Sequence, residues 1–277
     1  MSHPHRPHGL PESSKDFPPL ADPEQYIRKP KTAPGAANQV TVTPGGKVFA
    51  TIGDAIASIT DASQQKEYLV SVGPGTYPEQ IVCKPWVFVQ GSGIGVTTIA
   101  AKLTDPKKTY AVTAASNSAI QNLSLQVTVG GQVPTYAVGA RGAKNFSIEN
   151  CAINVSDAGL PASMLVALAA EVEGLSSGSV IYVAYSTLTA VGTNVKSQPI
   201  GLLCDQGAFV QFTESKVVAR GGTENYGAAV VSGCYIMFED GLIQGDYYAA
   251  CNFGPNSTVI AKSCQIIGPT QGVIIEP

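Results

Sequence analysis

Ile148-Glu-Asn-Cys-Ala-Ile153 is the stretch on which the reading of the fold turns. Two aliphatic residues five apart enclose a polar, bend-forming middle. The pattern returns upstream as Ile120-Gln-Asn-Leu-Ser-Leu125. Downstream it returns as Val183-Ala-Tyr-Ser-Thr-Leu188, Phe212-Thr-Glu-Ser-Lys-Val217, Met237-Phe-Glu-Asp-Gly-Leu242 and Ala261-Lys-Ser-Cys-Gln-Ile266. The intervals between copies vary from 24 to 35 residues while the internal spacing stays at five. Constant local register with variable period is the mark of a solenoid: each turn stacks the same side chains inside, and its loops vary freely. Between the paired positions, a column of mostly small residues (Leu123, Cys151, Ser186, Ser215, Asp240, Cys264) fits a tight bend. Coils are predicted to start at Tyr110, Tyr136, near Leu165, and at Ile200, Tyr226 and Tyr248. The span from Ser156 to Ser179 reads as the longest insertion between strands, and long loops on solenoids tend to decorate a binding face.

Composition agrees with a β-rich body. Of 277 residues, 13% are charged, 44% are hydrophobic, and 29 are glycine. Formal net charge is −3 and the pI is near 5.6, with no basic stripe, so neither nucleic acid nor an anionic membrane is an expected partner. No run of about 18 apolar residues occurs, so no segment reads as a membrane span. Met1 to Leu20 is polar and proline-broken, without the apolar core of a secretory signal, which predicts synthesis in the cytosol. The six cysteines show no C-x-x-C spacing and read as buried thiols. No metal site and no cofactor are expected.

Residues 1–35 form a separate arm. Eight of the 19 prolines fall in it, which excludes helix and central strand. Such a segment is expected to be either disordered or ordered only by lying against another surface, for example a neighbouring subunit. All three histidines, His3, His5 and His8, lie there, so no Ser-His-Asp or Cys-His arrangement can form in the body, residues 36–277. The body opens with Phe49, Ile52, Ile56 and Ile59 at helical spacing, a short amphipathic helix suited to capping the exposed end of a first coil.

Three segments carry a resemblance: Phe49-Ala-Thr-Ile-Gly-Asp-Ala-Ile56, Val70-Ser-Val-Gly-Pro-Gly-Thr-Tyr-Pro-Glu79, and Val87-Phe-Val-Gln-Gly-Ser-Gly93 with Thr97-Thr98-Ile99. In this order they resemble the opening of the pectin methylesterases. The resemblance implies an all-β fold, a single-stranded right-handed parallel β-helix of roughly seven to nine coils with an N-terminal helix cap. It also implies a chemistry of paired aspartates, one nucleophile and one acid/base, with glutamines at the oxyanion and an arginine orienting the nucleophile. At the corresponding places Tyr136-Ala-Val-Gly-Ala-Arg141 has tyrosine for the first glutamine. Val155-Ser-Asp157-Ala-Gly-Leu160 keeps an aspartate and lacks the second glutamine, while Gly192-Thr-Asn194-Val195 has asparagine for the second aspartate. The family's final arginine motif is missing. Most of the catalytic set is therefore absent, and Asp157 is the one catalytic candidate.

Other candidates come from the coil pattern. Glu214 and Glu239 read as equivalent positions in successive coils, which predicts two carboxylates about 5 Å apart that bind a cation, share a proton or face water. Tyr110, Tyr136, Tyr226 and Tyr248 fall at matching positions: outward they make a strip for stacking sugar rings, inward a core stack. Two functions follow. One is a non-catalytic structural or interaction protein, a subunit of a larger assembly such as a virion or appendage, forming a homo-oligomer through the arm. The other is a carbohydrate-active protein: a degenerate esterase relying on Asp157, or a glycan-binding module using Tyr136, Arg141, Glu214 and Glu239.

Overall fold

The computed structural model of the chain describes residues 38–105, 109–129, 134–157, 159, 164–171, 178–254 and 256–277. The proline-rich arm and its histidines lie outside the described residues. The chain winds into a right-handed parallel β-helix with three faces. The first face stacks ten rungs, from Gln39–Val42 and Tyr68–Val72 through Val87–Gly91, Val180–Ala184, Phe209–Thr213 and Tyr235–Glu239 to Ile274–Glu276. The third stacks eight, among them Tyr110–Thr113, Thr135–Arg141, Leu165–Glu171, Pro199–Cys204, Tyr226–Val230 and Tyr248–Asn252. The second face lies between them and includes Thr97–Leu103, Thr187–Gly192, Lys216–Gly221 and Leu242–Gly245. Two strands, Ala119–Val129 and Phe146–Ser156, run unbroken from first face to second. Every strand pairing is parallel, as a solenoid of one hand requires.

The aliphatic ladder stacks in register. Leu125, Ile153, Leu188 and Val217 are successive partners, as are Ile120, Ile148, Val183 and Phe212. In the next coil the expected register is off by one: the ladder positions are Phe238 and Ile243, not Met237 and Leu242. That coil offers two adjacent apolar residues at each end, so a five-residue spacing fits either frame. The register places Phe238 on Phe212, with ring centroids 4.7 Å apart and planes at 17°. The same shift puts Gly241, not Asp240, in the small-residue column. A Cβ there would come within 2.4 Å of the Ser215 carbonyl oxygen, so only glycine fits.

The bend between first and second faces follows one backbone rule. Asn122, Asn150, Tyr185, Glu214, Asp240 and Ser263 have φ between 47° and 53°, one left-handed residue per coil. Asparagine adopts this region most readily among residues with a Cβ, and Asn150 Nδ2 donates to Asn122 Oδ1 at 2.8 Å, tying two coils. The next position holds the serines. Cys151 N donates to Ser186 Oγ (3.0 Å), and Ser186 N to Ser215 Oγ (3.1 Å), so the small column satisfies amides that the bend takes out of the ladder.

The capping helix spans Ile52–Ser58 and buries Ile52, Ala55 and Ile56 on the first coil. Thr51 Oγ1 accepts from Asp54 N, and Glu79 accepts from Ile52 N and Gly53 N, both at 2.8 Å. The Gly-Thr-Tyr-Pro-Glu turn thus has a structural purpose: its carboxylate holds the start of the helix. Within the span Ser156 to Ser179 the coil start expected near Leu165 is the third-face strand Leu165–Glu171, so the span is not one uninterrupted loop. All six cysteines are free thiols, and burial pushes Cys83 and Cys151 up to about 12, which leaves them unreactive. Among the described residues no helix is long and apolar enough to cross a membrane.

Candidate functional site

Tyr136 and Arg141 belong to one strand, Thr135–Arg141, and meet the Tyr110 ring of the preceding coil. Tyr110 and Tyr136 are register partners, with centroids 5.0 Å apart and planes at 26°. The Arg141 guanidinium carbon lies 5.4 Å from the Tyr110 centroid, a cation–π contact. Gly139 makes this possible: a Cβ there would lie 1.9 Å from Tyr110 Cδ1, so the ring fills the space glycine leaves. The tyrosine column runs Tyr110, Tyr136, Val166, Ile200, Tyr226, Tyr248 by register. From Tyr136 to Tyr248 its members belong to or pack against an apolar cluster separate from the coil interior. Tyr226 is nonetheless fully buried, whereas Tyr110, Tyr136 and Tyr248 are half-buried and Arg141 is exposed. Here two half-buried aromatic faces and an exposed cation share one patch.

Asp157 occupies a different environment. It follows Phe146–Ser156 and is fully buried. Its Oδ1 accepts from Gly159 N (3.0 Å) and Thr193 Oγ1 (2.5 Å). Its Oδ2 accepts from Thr193 N (2.9 Å), Asn194 N (3.0 Å) and Ser197 Oγ (2.5 Å). Burial works to raise its pKa, but the donations from Ser197, Thr193, Asn194 and Gly159 outweigh it and hold the group at about 2. Five donors on one carboxylate pin the Asp157 bend to the Thr193–Ser197 loop of the following coil. An anion so stabilised is a weak nucleophile, because attack on an ester would strip those bonds from it.

The glutamates are not the stacked pair expected. Glu239 is the register partner of Thr213, and Glu214 falls at the left-handed bend one residue on. The one-residue shift of this coil is again the cause. Glu214 is exposed and its amide donates to the Glu239 carbonyl, while the Glu239 carboxylate accepts from Gln211 Nε2 at 3.3 Å and has Lys262 as its partner in the next rung. Tyr136 and Arg141 therefore come together on the Tyr110 ring, Asp157 has its own set of donors, and Glu214 and Glu239 meet through their backbones from different columns. Among the described residues no three His, Cys, Asp or Glu side chains converge as a metal-binding group.

Two features escaped sequence reading. The donors to Asp157, Thr193 and Ser197, lie roughly 40 residues downstream, and no local pattern links them. The outer side of the first face was the other, although Val87-Phe-Val89 and Phe209-Val-Gln-Phe212 signalled it by placing apolar residues at both alternating positions.

Three stacked parallel faces, a helix over the first coil and a bent ladder of left-handed residues define the right-handed parallel β-helix of the pectin methylesterase type. Among solved structures the chain is similar to pectin methylesterase from carrot, with TM-score 0.58 at 12% identity over 89% of this chain and 90% of that one. It is also similar to pectin methylesterase from Yersinia enterocolitica (0.57, 12%, 80% and 81%) and to PemA from Erwinia chrysanthemi (0.54, 13%, 86% and 82%). No protein-family model and no curated relative matches the sequence. The likeness is one of fold.

Proposed function

We propose that this protein is a non-catalytic β-helix scaffold, a rigid subunit of a larger assembly. The observation that carries this reading is Asp157: the one aspartate that the family resemblance offers as a catalytic carboxylate is fully buried, and four of its five donors come from the next coil. The tyrosine and asparagine at the family's glutamine and aspartate places support it. Methanol release from methyl-esterified pectin tests it. The expected result is no release above background by the full chain. Release that disappears in Asp157→Asn while the fold is retained sinks the proposal.

The Tyr110–Tyr136–Arg141 group favours a second reading, glycan binding without hydrolysis. Half-buried tyrosine faces suit sugar rings, and the guanidinium suits a carboxylate on an acidic sugar. A glycan array followed by titration decides it. Binding lost in both Tyr136→Ala and Arg141→Ala supports the reading, and an array without signal retires it.

A further inference from the structure

Cys204 and Cys234 belong to successive coils and meet at the corner where the third face turns back to the first. Cys204 ends the strand Pro199–Cys204, and Cys234 immediately precedes Tyr235–Glu239. By register Cys204 stacks on Val230, just upstream of Cys234, and Phe209 stacks on Tyr235. The Ala208 carbonyl joins the two positions: it accepts from Cys204 Sγ at 3.8 Å and from Tyr235 N at 2.9 Å. Both cysteines belong to the core inside the coils, Cys204 being 0% exposed and Cys234 2%, and their thiols are in hydrogen-bonding contact. The other strand cysteines are placed differently. Cys151 stacks on Leu123 and Cys251 on Ala229, so neither lies over a second thiol.

Reduced, the pair contributes little beyond packing, because a thiol is a weak hydrogen-bond donor. Cys204 Sγ bonds the Ala208 carbonyl, and Cys234 Sγ bonds the Ser232 carbonyl at 3.3 Å. Rotation about χ1 at each residue exchanges those weak bonds for a sulfur–sulfur contact. Burial pushes the Cys204 thiol well above its ordinary range, so the folded core holds no thiolate there for a dissolved oxidant to meet. A covalent link at this corner therefore closes while the coils assemble and both thiols are still in water.

We propose that Cys204 and Cys234 form a disulfide as the chain folds in the presence of a small-molecule disulfide, stapling one coil to the next. One cysteine thiolate attacks the S–S bond of the oxidant, giving a mixed disulfide and releasing one small thiol. The second cysteine then displaces the other small thiol. Two S–H bonds are lost and one S–S bond forms, and the two electrons and two protons leave with the two reduced small thiols. The link closes a loop of about 30 residues, long enough to take considerable entropy from the unfolded chain. This inference makes no use of ester chemistry or glycan binding and stands apart from both assays above.

The full chain is refolded from urea in a mixture of reduced and oxidised glutathione, and in parallel in dithiothreitol. Free thiols are then alkylated under denaturing conditions, and the cleaved protein is mapped by mass spectrometry. The glutathione sample is expected to be lighter by two hydrogens before alkylation, with Cys204 joined to Cys234 and the other four of the six cysteines alkylated. Six alkylated cysteines in the folded glutathione sample, or a link between any other pair, overturn the proposal. The linked chain is also expected to unfold at a higher urea concentration than the reduced one. That difference should vanish in Cys204→Ala and in Cys234→Ala and persist in Cys251→Ala. A linked chain that unfolds at the same or lower urea concentration overturns the staple, as does a difference that survives in Cys204→Ala.

Discussion

Asp157 shows how a single buried carboxylate ties one coil to the next. Its carboxylate accepts from Gly159, Thr193, Asn194 and Ser197, and four of its five donors belong to the next coil. Asp157→Asn turns one acceptor oxygen into an N–H donor facing donors, and is expected to cost about 3 kcal/mol in urea unfolding. Its pH dependence has a definite sign. The folded pKa, about 2, lies below the ordinary 3.8. The stabilisation is therefore complete above pH ~4 and fades as pH falls toward 2, a loss of about 2 kcal/mol. The stability gap between the wild type and Asp157→Asn should narrow over that window; a gap constant from pH 6 to pH 2 would show that the carboxylate is not the source. Asp157 itself was legible in the sequence. Its role was not, because Thr193 and Ser197 approach it only when one coil stacks on another.

At the scale of elements, the bend between first and second faces sets the rod's cross-section. Each coil places one residue at φ near 50°, and the chain uses Asn122 and Asn150 early but Tyr185 and Glu214 later. A side chain with a Cβ pays about 1 kcal/mol there, and asparagine pays least. Tyr185 is 54% exposed, so its ring adds little burial to offset that strain. Tyr185→Asn is expected to raise stability by about 1 kcal/mol, read as a higher urea midpoint with unchanged slope. A lower midpoint would mean the ring contributes more than the strain removes. The asparagines were visible within the repeated six-residue segment, but the rule they obey was not. Tyrosine, glutamate and aspartate hold the same backbone angle in later coils, and only coordinates align them.

For the whole molecule, the coils stabilise one another as nearest neighbours, so the ends matter more than the middle. Ile52–Ser58 closes the first coil with Ile52 and Ile56, both at most 2% exposed. Ile56→Asp places an unpaired charge against that core and is expected to cost 3 kcal/mol or about that. Amide exchange should rise first in Tyr68–Val72 and Val87–Gly91, with Tyr235–Glu239 protected longest. Uniform acceleration along the rod would instead indicate one cooperative block. The solenoid, its helix cap and most of its ladder were determined by the sequence alone, because inward-facing positions recur at fixed local spacing and hydrophobic burial depends on side-chain type. What only the tertiary structure decided was the frame of the coil at Phe238 and Ile243, the set of donors gathered on Asp157, and the burial of the outer first face. Each depends on which residue of one turn lies above which residue of the next, and loops of variable length erase that information from linear spacing.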